Sequence, residues 1–185
     1  AHLPIYWVDC KEISHTERDV FAFGAYNKIR STVFKYVKNS LPSKNVTSYI
    51  KLFVPRSNGK ISKIKSFVKT LSMFQDYGMV THTSIPTEDF RRMIATSRIV
   101  VDTSNGYQDG LSARFMWALG LGKKIITNNK SVVTYDFYNK NQIYVIDCES
   151  DNLTDFIMSD FIMSDEIREK VNTYRIDNWL NTLMG

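Results

Sequence analysis

Residues 98–129, RIVVDTSNGYQDGLSARFMWALGLGKKIITNN, constrain the fold more than any other stretch of this 185-residue chain. Ile99, Val100 and Val101 form a short apolar run closed by Asp102, the pattern of a strand covered on both faces. Thr103 to Gly110 is almost entirely polar or glycine. Leu111 to Leu121 then carries apolar residues at helical spacing, with Gly120 and Gly122 placed to end the helix. Ile125 and Ile126 start a second buried strand. In a parallel α/β sheet, such a loop lies at the carboxyl end of a strand and the helix start faces the ligand crevice. Free N–H groups and the positive end of the helix dipole suit that position to an anion, above all a phosphate. Ser112 and Arg114, in the first turn, add a hydroxyl and a guanidinium fork. Strand–loop–helix–strand units also occur throughout α/β proteins, and most of their helix starts bind only water. The spacing alone leaves both readings open.

The size suits one well-buried core and one domain. A hydrophobic content of 43% and an aromatic content of 13% point to a folded globule rather than a disordered chain. No apolar run approaches the ~20 residues that cross a bilayer, and the start shows no signal-peptide pattern. The first residue is Ala1, which reads as a processed or excised piece. Cys10 and Cys148 lack metal-ligand spacing, and His2, His15 and His82 are scattered. The expectation is a reduced, cytoplasmic protein with no metal centre.

The formal charge of +5 hides an asymmetry. Between Asp19 and Asp76 there is no acidic residue but there are eleven basic ones, from Lys28 and Arg30 through Lys35, Lys38, Lys44, Lys51, Arg56, Lys60, Lys63 and Lys65 to Lys69. The rest of the chain is net negative. A basic half suits an anionic partner: nucleic acid, lipid headgroups or phosphorylated small molecules. A solvated lysine-rich surface gives the same composition. Nucleic acid is disfavoured, because no RNP-like, KH-like or helix-turn-helix signature accompanies the charge.

Along the chain, residues 1–18 read as a linker and 19–185 as one domain. Strands are predicted at Val20–Gly24, Tyr49–Val54, Tyr77–His82, 99–102, 124–127 and Ile143–Ile146. Helices are predicted at Asn27–Leu41, Ile61–Phe74, Thr87–Ala95 with Thr87 as N-cap, 111–121, and through 166–183. Tyr135–Tyr138 reads as a turn or short helix. Alternation at this spacing implies a single Rossmann-like, doubly wound parallel α/β sheet with helices on both faces. The pentapeptide DFIMS occurs twice in tandem, at 155–159 and 160–164. Two short copies are too few for a solenoid and read as a local duplication in a surface helix or loop.

The first strand ends at Gly24, and Asn27, Lys28 and Arg30 follow at a helix start, offering a second set of donors at the same sheet edge. The pattern is not GxGxxG, so no dinucleotide fingerprint is present. Taken together with SRIVVDTSNGYQDGLSARFMWALGLGKKIITNN and YDFYNKNQIYVID, these segments resemble the carboxy-terminal half of bacterial polysaccharide and lipopolysaccharide biosynthesis glycosyltransferases, which have the GT-B architecture of two facing Rossmann-like domains. The similar pattern there is Q-x-G-L-[ST]-x-R-x-x-E-A-L-x-x-G-K-K-I-I-T-x-N, then Y-D-F-Y-N. Gln108, Gly110, Leu111, Ser112, Arg114, Ala118, Leu119, Gly122, Lys123, Lys124, Ile125, Ile126, Thr127 and Asn129 fit it. Gly24, Arg30 and the SIPTEDF segment fit upstream, so the likeness covers roughly residues 18–147.

The resemblance implies the half that holds a nucleotide diphosphate sugar as substrate. Gly24, Asn27, Arg30, Ser104, Gln108, Gly110, Leu111, Ser112 and Arg114 would bind its nucleotide and diphosphate. Such enzymes often use no metal or cofactor, since protein donors stabilise the leaving diphosphate. The resemblance further implies an amino-terminal domain carrying the acceptor site and a hexose transfer to a glycan or lipid-linked acceptor. It also fits a place in the cytoplasm, at the inner membrane face. One departure stands out. Trp117 occupies the position where the pattern has a glutamate, a residue that commonly contacts the donor ribose, and tryptophan cannot accept those hydrogen bonds. A non-catalytic binding module with a degenerate nucleotide site is therefore the competing expectation. A receiver-like phosphate domain would want acidic residues where the first strand ends in Phe23-Gly24.

Overall fold

The computed structural model describes Trp7 and residues 15–42, 45–56, 78–105, 110–146 and 152–184. Its core is a six-stranded sheet of β1 (Arg18–Ala25), β2 (Ser48–Phe53), β3 (Val80–Thr81), β4 (Ser97–Asp102), β5 (Lys124–Thr127) and β6 (Ile143–Val145). Every neighbouring pair is parallel and the order is β3-β2-β1-β4-β5-β6. The order reverses between β1 and β4, which makes that junction the topological switch point. The helices are α1 (Lys28–Asn39), α2 (Thr87–Ala95), α3 (Ala113–Gly120), α4 (Leu153–Met158), α5 (Asp165–Thr173) and α6 (Ile176–Met184), with a 3-10 turn at Lys130–Thr134.

Apolar residues on both sides of the central strands explain the two layers. Val20 and Ala22 of β1, with Ile99 and Val101 of β4, face α1 and α4 through Val33, Phe34, Val37, Leu153 and Ile157. Phe21, Phe23 and Val100 face the other way, onto Ile94, Phe115, Met116, Leu119 and Val132. Period two within a wholly apolar strand is what burial on both faces requires. Each such valine, leucine, isoleucine, methionine or phenylalanine contributes roughly 1.5–3 kcal/mol by leaving water. The fold is Rossmann-like, as the sequence led us to expect.

Among the described residues most predicted elements lie near their observed places, but the strand expected over Tyr77–His82 is only Val80–Thr81, and the helix expected through 166–183 is two, α5 and α6. Thr87 is the first residue of α2, not its cap: Pro86 holds the N-cap position and no side chain caps there. The helix expected over 111–121 runs only Ala113–Gly120, because the Ser112 hydroxyl accepts the Phe115 N–H and caps it. Gly122, at φ +66°, ends it. The Gly122 N–H bonds Leu119 O and the Lys123 N–H bonds Ala118 O, a Schellman closure that needs the left-handed residue. Gly120 has a different cause. A Cβ there would run into the ring of Trp7, whose Nε1 donates to Val171 O and whose backbone pairs with Tyr174 and Ile176. The segment from 130 to 134 is the short helix, and 135–138 is a bend and turn after it. The 61–74 helix, Gln108, both cysteines and several of the lysines lie outside the described residues.

Candidate functional site

Beyond the carboxyl ends of β1 and β4 lies a cleft of about 380 Å3 lined by Arg30, Ile85, Thr87, Phe90, Asp102, Thr103, Asn105, Ser112, Ala113, Arg114 and Trp117. It sits at the switch point, where open parallel sheets bind ligands.

Arg30 reaches it from the first turn of α1. Its Nε donates to Thr103 Oγ1 at 2.8 Å, and its Nη1 donates to Ala25 O. A Cβ on Gly24 would lie 2.8 Å from Arg30 Nε, so the glycine leaves room for the guanidinium to cross the strand end. Asn27 caps α1 by accepting the Arg30 N–H at 2.7 Å and donates to Asn105 Oδ1 at 3.0 Å, tying the two loops together. Ser104 is held through its backbone: its N–H donates to Asn128 Oδ1 at 2.8 Å and its carbonyl accepts from Asn128 Nδ2 at 3.2 Å.

Ser112 does two jobs already. Its hydroxyl accepts from Phe115 N–H and donates to Asp102 Oδ1 at 2.7 Å. That proton is therefore committed in this arrangement, and the amides of the first two helix residues, which have no intrahelical partner, are the donors left at the helix start among the described residues. Leu111 is buried in the core and offers a ligand only its main chain. Among the described residues nothing lies within 4 Å of where a Cβ on Gly110 would stand, and its carbonyl accepts from Asn129 Nδ2.

Arg114 lies partly buried beneath the cleft. Its Nη1 donates to Val101 O at 3.3 Å and its guanidinium sits 5.2 Å from the Phe90 ring centroid. Its Nε is buried and meets no acceptor among the described residues. Burial lowers the proton affinity of Arg114 and of Arg30, while the nearby Asp102 charge raises both. Arg30 and Arg114 also repel each other. Two arginines with one carboxylate between them leave an excess positive charge at a helix start.

Trp117 forms a wall of the same cleft. The Arg91 guanidinium lies 4.6 Å from its ring centroid, and Phe90 meets it edge-on at 6.5 Å. Asp102, Thr103, Asn105 and Phe90 belong to the site although the motif did not single them out. Asp102 had a visible signal, a charged residue closing an apolar strand run. Among the described residues, no group of three or more His, Cys, Asp or Glu could hold a metal ion, and no helix is long and apolar enough to cross a membrane.

No family model matches the sequence, and no curated protein matches it. Solved structures share its fold. The amino-terminal domain of trehalose-6-phosphate phosphatase from Candida albicans superposes over 90% of this chain with TM-score 0.51 and 15% identity. A sucrose-phosphate synthase from Thermosynechococcus elongatus superposes over 91% with TM-score 0.51 and 13% identity. The chain spans only 40% and 44% of those two chains. At such identities the likeness concerns the fold alone, the Rossmann-like unit expected of one half of a GT-B architecture.

Proposed function

We propose that this chain is the nucleotide-sugar-binding half of a glycosyltransferase that moves a hexose from a nucleotide diphosphate sugar to a growing cell-surface glycan. The observation behind this proposal is the buried Nε of Arg114, which meets no acceptor among the described residues, beside Arg30 at the switch-point cleft. A diphosphate brings the acceptors and negative charge this pair lacks. The arginines and the α3 amides would stabilise the departing diphosphate, with no metal required in this reading. An amino-terminal domain would supply the acceptor site. The basic face that includes Lys28, Lys35 and Lys38 would hold the enzyme against anionic lipid at the cytoplasmic side. Co-sedimentation with anionic vesicles that does not weaken in salt would remove that last part.

A second reading, a binding module whose nucleotide site has degenerated, draws on Trp117, which fills a wall of the cleft with no ribose acceptor. A thermal-shift panel with UDP, GDP, CMP and dTDP separates the two, repeated with Arg114→Ala. Ligand at about 100 times its Kd adds about 2.7 kcal/mol, a rise of roughly 5–10 °C for a chain this size. A rise with one nucleotide, lost in the variant, supports the donor site. A flat panel supports the degenerate module.

A further inference from the structure

The cleft holds a carboxylate where an anion is expected to bind, and donor binding alone gives no reason for it. Asp102 is 3% exposed at the end of β4. It accepts the Ser112 hydroxyl at 2.7 Å, which fastens it to the first turn of α3. Both Arg30 and Arg114 feel its charge. A cleft selected for the tightest grip on phosphate would lack that charge, since each negative group beside an anion weakens it. A neutral asparagine would keep an acceptor for Ser112, so the hydroxyl bond alone does not explain the acid.

We infer that Asp102 sets how much negative charge the cleft accepts, favouring a diphosphate diester over more highly charged phosphates. This rests on the donor-site reading above. Among the described lining residues, two guanidiniums less one carboxylate leave a net charge of about +1, supplemented by roughly half a charge from the helix start. That complements the two negative charges of the diphosphate in an intact nucleotide sugar. The nucleoside diphosphate left after transfer carries about one more. Asp102 penalises that extra charge and so favours exchange of spent product for fresh donor. The role is one of specificity, since bond breaking is not assigned to this carboxylate.

The test is isothermal titration of the 185-residue chain and of Asp102→Asn at pH 8, with UDP and UDP-glucose, or GDP and GDP-mannose where the panel identifies guanine. Removing one charge at about 8 Å in partly screened surroundings shifts the binding of one further phosphate charge by roughly tenfold. The variant is therefore expected to tighten on the free diphosphate about tenfold more than on the sugar diester. Equal tightening of both, or weakening of both, overturns the role of Asp102 and leaves the donor site standing. Failure of the wild type to bind any of these ligands overturns both. Should the variant not fold, the wild type decides the matter with UMP, UDP and UTP. Little gain from UDP to UTP supports the inference, and a tenfold gain per added phosphate overturns it.

Discussion

Two cations, one buried and one partly buried, stand at opposite ends of the sheet, and they differ in what they lack. Lys124 opens β5 at the amino end and is 2% exposed. Its ammonium donates to Phe156 O, to Ser159 O at 2.7 Å and to Ser159 Oγ at 2.8 Å, and it lies 4.1 Å from the Phe156 ring centroid. Three donors meet three acceptors. Arg114, near the carboxyl end, has among the described residues one carbonyl partner and a buried Nε without an acceptor, with a second arginine nearby. Burial is common to both. Unmet hydrogen-bonding demand is what distinguishes a cation that awaits a ligand from one that holds the fold together.

Removing each head group in turn separates the two roles. Arg114→Met is expected to weaken nucleotide binding at least 100-fold, since it deletes a charge-assisted donor set in a partly desolvated cleft. Stability should change by no more than about 1 kcal/mol, because the orphaned Nε and the repulsion from Arg30 vanish with the lost bond. Lys124→Met should do the reverse. It strands the Phe156 and Ser159 carbonyls, at a cost of about 2 kcal/mol, and leaves nucleotide affinity unchanged. Urea unfolding and titration calorimetry on both variants read the four outcomes. A destabilised Arg114→Met that still binds nucleotide would make Arg114 a structural cation like Lys124.

The sheet was legible in the sequence because apolar runs closed by polar loops leave few alternatives to buried parallel strands. Val20 to Phe23 and Ile99 to Val101 show this directly. The helix ends were less legible, since caps depend on where a side chain turns. Ser112 was visible as a donor, but its commitment to Asp102 depends on β4 ending beside α3, a contact no local pattern encodes. The tandem DFIMS shows the same limit. In the first copy Phe156 and Ile157 lie in α4 and are buried; the second has no helix or strand, with Ile162 91% exposed and Met163 buried, and its Ser164 caps α5. Identical pentapeptides take different conformations because the first packs Phe156 and Ile157 on one face of the sheet from within a helix, while the second links two helices and packs Phe161 and Met163 on the other core cluster. Likewise Gly24 was readable as a glycine at a strand end, though not as the floor beneath Arg30.

That floor gives a finer comparison. Gly24→Ala leaves the guanidinium in place chemically but pushes it off the strand, since the new Cβ would stand 3.0 Å or less from Arg30 Nε, Cδ and Cζ. Arg30 then loses its fixed bonds to Thr103 and Ala25. Nucleotide affinity should fall about tenfold, close to 1.4 kcal/mol. Stability should stay within about 1 kcal/mol, helped by the smaller entropy of the unfolded chain. A variant that binds as the wild type does would show that the guanidinium reaches the ligand from more than one position, and that Arg30 is not preset.

The smallest effect tests whether full hydrogen bonding removes the cost of burying Lys124. Burial, with Arg98 nearby, pushes its ammonium down to about 8 from the ordinary 10.5. The folded state therefore releases this proton at lower pH than the unfolded chain does. Between those values the unfolded state binds more protons, so stability must rise with pH. From pH 8 to pH 9 the gain is about 1 kcal/mol. Unfolding measured across that range in the wild type, with Lys124→Met as the reference for all other titrating groups, isolates it. If the two curves run parallel, the three acceptors compensate for desolvation completely and Lys124 keeps an ordinary proton affinity. If the wild type gains on the variant, even a fully bonded cation carries a residual cost of burial. A cost of the same kind at Arg114, which has fewer partners among the described residues, is then what a bound diphosphate would offset.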